Sequence, residues 1–206
     1  FTAAAGEILV VLGPNGAGKT TIFRTILGLL PALAGRVSVD GASTAGWSPA
    51  RRARVFGYVP QSTVAVFPYT VREFVLMGRT ARIGPFGTPS RRDREVAAAS
   101  LAALAIEHLA DRPYTEVSGG ERQLALVARA LAQEPSILVM DEPTASLDFG
   151  NRVRVLAEVQ ALAAQGLAVV MSTHDPDQAF LCAGRVVVLR AGGVLRVGQP
   201  ADVLTA

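Results

Sequence analysis

The run Gly13, Pro14, Asn15, Gly16, Ala17, Gly18, Lys19, Thr20 satisfies G-x-x-x-x-G-K-[ST]. Glycines at this spacing let backbone N–H groups turn inward around phosphate oxygens, the Lys19 ammonium reaches the outer phosphates, and the Thr20 hydroxyl suits Mg2+. The adjoining Thr21 is counted with this loop. Lys19 is the single Lys among 20 basic residues, the rest being Arg, which points to a site that needs a compact point donor. The bland alternatives are a Gly-rich turn ahead of a helix and a lone Lys left by compositional bias. A second constellation is Asp141-Glu142 at the end of ILVMDEP. Asp141 suits Mg2+, directly or through water, and Glu142 suits a general base for an attacking water, two roles that phosphoryl transfer needs separately. Alone, Asp-Glu-Pro would read as a strand leaving into a turn; beside a phosphate loop the carboxylate reading prevails. His174 is the third candidate, for the γ-phosphate, against the alternative of a bystander next to an Asp175-Pro176 helix cap. His108 is read as a bystander. Ser118-Gly119-Gly120-Glu121 is locally a capping box, but two glycines weaken a helix start and leave N–H groups open to an anion, which suggests a second nucleotide contact across a dimer interface.

The elements that must position these residues follow from periodicity. Residues 7–12 form a short apolar β-branched run, a buried strand feeding the phosphate loop. A helix from 19 to about 30 follows, stopped by Pro31, then a small strand over 36–40 and a loop carrying Arg51, Arg52 and Arg54. A strand over 55–59, a helix over 70–77, a Gly/Pro-rich loop over 79–90, a helix over 92–109 and one from 118 to about 133 come next. Strand and helix then alternate: 137–140, 152–164, 167–172, 176–182, 185–189 and 194–197. This alternation predicts an α/β domain with a mainly parallel sheet, whose strand ends carry Glu142 and His174 to the ligand side.

At 206 residues the chain suits one domain with a full core. Its longest apolar run is six residues, 101–106, against the roughly 20 of a membrane helix. Charged residues make up 18%, so an apolar face for a partner is expected. The single Cys182 makes no internal disulfide. A net charge of +3 permits contact with anionic lipid or phosphate and does not by itself indicate nucleic acid, so no nucleic-acid partner is expected.

The ordered set GPNGAGKT, YVPQ (58–61), VSGGERQ (117–123), ILVMDEP, SLD (146–148) and STHD (172–175) resembles the nucleotide-binding subunit of ATP-binding cassette (ABC) transporters along nearly the whole chain. The resemblance implies the P-loop ABC-ATPase fold, a mainly parallel sheet core with a small antiparallel β part and a helical signature subdomain at about 62–133 within one domain, 1–206. It implies ATP and Mg2+ as ligands and a head-to-tail dimer that sandwiches two ATP molecules. Gln61 then touches Mg2+ and the attacking water, Ser118, Gly119 and Gly120 contact the partner copy's γ-phosphate, Asp148 belongs to the D-loop across the interface, and His174 is the switch histidine. Partners would be transmembrane permease subunits and, indirectly, a substrate-binding protein, at the cytoplasmic face of the membrane. Val117 and Glu121 stand where the family's commonest signature has Leu and Gln. The family's adenine-stacking aromatic lies well upstream of the phosphate loop, Phe1 is too close to serve, and the chain reads as trimmed at both ends. Within the family the similarity is greatest to iron-siderophore, haem, cobalamin and related metal-chelate or oxyanion importers. A GTPase is excluded, because N-K-x-D needs a second Lys. A chromosome-maintenance ATPase is disfavoured, because Lys19 and Ser118 are only 99 positions apart without heptads. A soluble, non-transport ABC protein is the alternative. Finally, the stretch 79–94, with Arg79, Arg82, Arg91, Arg92 and Arg94 against Asp93 and with Phe86 among glycines and prolines, is expected, together with the helix over 70–77, to receive a permease helix, against a plain solvated loop.

Overall fold

The computed structural model describes residues 1–61, 67–84 and 87–204. β1 (Ile8–Leu12) is buried at every position and lies inside a six-stranded sheet. β4 (Phe56–Val59), β5 (Ile137–Met140), β6 (Ala168–Thr173), β1 and β7 (Arg185–Arg190) run parallel in that order, and β8 (Gly193–Gly198) closes the sheet antiparallel to β7. The parallel strands are continuous apolar runs because both faces are covered. On one face Val10, Met140, Val169 and Met171 join a core with α3 (Val71–Leu76), α5 (Arg91–Ala102), α6 (Gly119–Leu131) and α7 (Phe149–Ala164). On the other face Leu9, Val11, Val139 and Val170 pack with Phe23 and Leu27 from and just beyond α1 (Lys19–Ile26). A two-stranded antiparallel ribbon, β2 (Ser38–Val39) with β3 (Ala42–Ser43), is the small β part.

Several boundaries differ from the periodicity reading. α1 ends at Ile26, four residues early, because the chain reverses at Gly28 and the N–H groups of Leu29 and Leu30 return to Arg24 O. The basic cluster Arg51, Arg52 and Arg54 lies in a helix, α2 (Pro49–Val55), not a loop: the Ser48 hydroxyl caps Arg51 N–H, and Pro49 occupies the first turn, where no N–H is needed. The 79–90 loop begins with a 3-10 turn (Met77–Arg79) and a short helix, α4 (Thr80–Ile83). The helix expected to 109 stops at Ala102, and Ala105 turns the chain at φ 51 into a 3-10 turn (Glu107–Leu109) that holds His108. The apolar run 101–106 hid this break, since Leu101, Leu104 and Ile106 are buried on either side of it.

Arg79 is also not part of a docking surface. It is 4% exposed, donating to Asp93 Oδ1 (2.9 Å), Ala132 O (2.7 Å) and Glu134 Oε2 (2.8 Å), while Arg82 donates to Gln133 O. Asp93 is thereby an internal partner rather than a surface acid. Arg91, by contrast, keeps 94% of its side chain exposed. Phe86 lies outside the described residues, as do positions 62–66 of the expected helical subdomain. Among the described residues no helix is long and apolar enough to cross a membrane. α8 (Pro176–Cys182) and a final α9 (Pro200–Val203) complete the elements.

Candidate functional site

β1 delivers the chain into the phosphate loop. Gly18 caps α1 at φ 98, a left-handed value that would strain any side chain, and so turns the helix start with its unpaired N–H groups toward the loop. Pro14, Asn15 and Gly16 are exposed, Ala17 and Lys19 are buried, and Thr20 is half-buried with Thr21 exposed behind it. Lys19 Nζ donates to Gly13 O (2.7 Å) and Pro14 O (3.1 Å), wrapping the loop around its own side chain.

The same ammonium lies 3.0 Å from Glu142 Oε1. Glu142 Oε2 accepts from Gln61 Nε2 at 3.3 Å and stands 3.1 Å from His174 Nδ1. Gln61 follows β4, Glu142 follows β5 and His174 follows β6, neighbouring parallel strands whose carboxyl ends finish side by side. Three residues from three separated segments therefore meet on one carboxylate, at the crevice where open parallel sheets bind ligands. Glu142 holds a left-handed φ of 45, unusual for a non-glycine residue; strain of this kind is found at functional sites.

Asp141 is 2% exposed and accepts from Ser172 Oγ at 2.7 Å, and the same Ser172 oxygen accepts from the Glu142 N–H at 2.9 Å. Ser172 is a residue that sequence reading did not single out as a site member. The available signal was a polar residue on an inward position of the apolar strand AVVMST. Gln178 was also missed: it is 3% exposed, its Oε1 accepts from Thr144 Oγ1 (2.7 Å) and Thr173 Oγ1 (3.1 Å), and its Nε2 donates to Asp175 Oδ2 (3.2 Å). Arg152 Nη1 reaches the same Asp175 oxygen at 3.0 Å, tying α7 to the segment that carries His174.

The signature residues sit apart from this group. Ser118 caps α6 and makes the expected capping box with Glu121, whose carboxylate accepts the Ser118 N–H at 2.8 Å. Those bonds, the backbone one first, hold the Glu121 carboxyl below its usual range. Its charge is thus directed at its own helix start. Val117 is buried, so Val in place of Leu there is a matter of core packing. Asp148 caps α7, accepting Asn151 N–H (2.9 Å) and Nδ2 (2.7 Å), and the backbone bond leads in holding its carboxyl below the usual range. Gly120 lies directly against Asn151, so the starts of α6 and α7 touch. Ser118, Gly119 and Asp148 are exposed, and among the described residues no hydrogen bond or ion pair joins them to the phosphate loop.

For a hard divalent cation the chain offers the Thr20 hydroxyl, the Gln61 amide oxygen and the Asp141 carboxylate, all oxygen donors of the right chemistry. Among the described residues no group of three or more His, Cys, Asp or Glu forms a metal cage, so a cation here would share its shell with phosphate and water.

The ABC transporter family model matches residues 1–145. An uncharacterized ABC transporter ATP-binding protein of Haemophilus influenzae is 43% identical over 205 residues, covering 100% of this chain and 78% of that protein. The hemin import ATP-binding protein HmuV of Gloeobacter violaceus is 42% identical over 210 residues, covering 98% and 76%. A solved ABC transporter assigned to the metal-chelate type, in an inward-facing conformation, superposes with a TM-score of 0.87 at 37% identity over 98% of this chain and 75% of that one. With the phosphate loop, the strand-end carboxylates and the parallel sheet in place, the chain belongs to the ABC transporter family as an ATP-binding ATPase.

Proposed function

We propose that this chain powers an importer for a metal chelate such as an iron-siderophore, haem or cobalamin, or for a related oxyanion, acting through separate permease subunits at the cytoplasmic face of the membrane. The metal-chelate direction is supported by the likeness to the hemin import protein and to the metal-chelate type transporter. The chemistry rests on one observation, the meeting of Lys19, Gln61 and His174 on the Glu142 carboxylate.

In this reading backbone N–H groups within 15–20 and the Lys19 ammonium bind the phosphates of ATP. Lys19 leaves Glu142 for the phosphate oxygens, which frees Oε1. Glu142 then takes the proton of the attacking water, while the Gln61 amide orients that water and His174 fixes the base and reaches the γ-phosphate. Thr20, Gln61 and Asp141 would hold Mg2+, which when bound offsets the negative charge of the phosphates. Ser118, Gly119 and Gly120 serve a second copy's nucleotide, with Asp148 at that interface. This assignment is supported by the exposure of Ser118, Gly119 and Asp148 at two touching helix starts, with Gly120 buried against Asn151 between them. A substrate-binding protein would present the cargo to the permease.

Glu142→Gln, in the chain assembled with its permease, is expected to bind MgATP and to lose hydrolysis by about 10²- to 10⁴-fold, accumulating ATP-bound dimers. Turnover close to that of the unaltered protein would overturn the base assignment and make His174 the next candidate.

A further inference from the structure

Ser172 is 0% exposed, on the sheet face that Val170 shares with Val11, Val139 and Phe23. Val170, Val11, Val139 and Phe23 are apolar, and a buried hydroxyl beside them is destabilising unless it is hydrogen-bonded. Its donor and acceptor roles are both used. The Glu142 N–H enters the oxygen at 2.9 Å, so the Ser172 proton is directed to Asp141 Oδ1 at 2.7 Å. The chain Glu142 N–H to Ser172 O–H to Asp141 Oδ1 is a relay in which each bond polarises the next. It crosses from β6 to the end of β5, where the parallel register has just paired Met140 with Met171. It also spans the peptide whose following residue, Glu142, holds φ 45. Asp141 N–H is bonded to Val59 O at 2.8 Å, so the successive peptides at 141 and 142 are held from the two neighbouring strands, β4 and β6.

We propose that Ser172 is a positioning residue for both carboxylates. By engaging Oδ1 it fixes the rotamer of Asp141 and leaves the other carboxylate oxygen for the cation. By holding the Glu142 N–H it keeps that residue in the left-handed conformation from which its carboxylate meets Lys19, Gln61 and His174. The inference rests on the reading of Asp141 as a Mg2+ residue and of Glu142 as the base.

The test compares Ser172→Ala, Ser172→Thr and Ser172→Val in the chain assembled with its permease. Thr and Val have the same shape and differ only in the hydroxyl. Two readouts are taken: the Mg2+ concentration at which ATP reaches half of its Mg2+-dependent rise in Tm, and kcat against KM for ATP at saturating Mg2+. Loss of a residue that orients a ligand typically costs 10- to 100-fold. Ser172→Ala and Ser172→Val are therefore expected to raise the Mg2+ midpoint about tenfold and to lower kcat about 10- to 100-fold. KM and the Tm rise with ATP in EDTA should be unchanged, and Ser172→Thr should regain most of both losses. The proposal is overturned if the Ala and Val proteins lose only Tm while keeping the Mg2+ midpoint and kcat. It is equally overturned if a folded Thr protein is as impaired as the Val protein; should Thr not fold, Ala against the unaltered chain decides by the same two readouts. Failure of the underlying reading looks different: the unaltered protein would then show no Mg2+-dependent hydrolysis, or Glu142→Gln would keep it.

Discussion

Gly120 has no room for a methyl group. A Cβ there would stand 2.2 Å from Asn151 Oδ1 and 2.4 Å from its Cγ, and Asn151 swings away only by giving up its bond to Asp148 Oδ2 at 2.7 Å. The glycine that looks in sequence like a weak helix start is thus the contact point of two helices. Gly120→Ala is expected to cost about 1–3 kcal/mol through overpacking. Asn151→Ala in the same background should recover part of it, because the blocking amide is gone while the Asn151 Cβ, 2.9 Å away, remains. A double-mutant cycle by thermal unfolding checks this; strictly additive effects would sink the contact argument. The same scale explains why Lys19 and Glu142 occur together. Each is nearly buried, at 5% and 9% side-chain exposure, and a charge so placed needs the other until a phosphate replaces it.

At the scale of elements, the helices outside the sheet are locked by Arg79. Its guanidinium joins the turn after α3 to the start of α5 through Asp93 and to the end of α6 through Ala132 O and Glu134. Asp93 also takes the Ser90 hydroxyl (2.6 Å) and N–H (2.9 Å) in a capping box. The Ser90 hydroxyl first, and then Arg79, hold its carboxyl down from the ordinary 3.8 to about 2. A carboxyl lowered on folding contributes stability that is complete above its unfolded value and is lost as pH falls through the folded one. The Tm advantage of the unaltered chain over Asp93→Asn is therefore expected to be steady above about pH 4 and to shrink between about pH 4 and 2. Thermal melts across that range check it, and an advantage that does not shrink would show that the capping geometry, not the charge, is what matters.

Across the whole molecule, the proposed pairing with a second copy would need an apolar contact near Asp148. Phe149, the first residue of α7 beside Asp148, is 76% exposed, and Val153 one turn on is 42% exposed. Apolar side chains next to exposed helix starts are what a partner would cover. If Ser118 serves the other copy's nucleotide, Ser118→Ala should leave ATP binding by the monomer intact and impair hydrolysis that needs two copies. Lys19→Ala should instead weaken ATP binding itself, because Lys19 meets phosphate charge already present in the ground state. Nucleotide titrations of both variants decide the matter, and an equal loss of ATP binding in both would remove the two-copy arrangement.

The contiguous motifs were legible because their chemistry is local. GPNGAGKT specifies a strand-to-helix turn by its own glycines, ILVM and AVVM announce buried parallel strands by unbroken apolarity, and Ser118 with Glu121 writes its own cap. Sequence alone thus determined the glycine-rich strand-to-helix turn over 13–20, the paired carboxylates at a strand end and the α/β class. It could not determine that Gln61 meets Glu142, 81 positions away, or that Ser172 bonds both Asp141 and Glu142. Those meetings depend on which strands lie side by side and in what register, and a run of apolar residues carries no record of its neighbours. Arg79 and Arg91 are of one residue type in one basic stretch, yet one is a buried clasp and the other an exposed cation. Only the packing of α5 and α6 around Arg79 decides between them, because an Arg can sit in water or in a shell of carboxylates and carbonyls such as Asp93, Glu134 and Ala132 O.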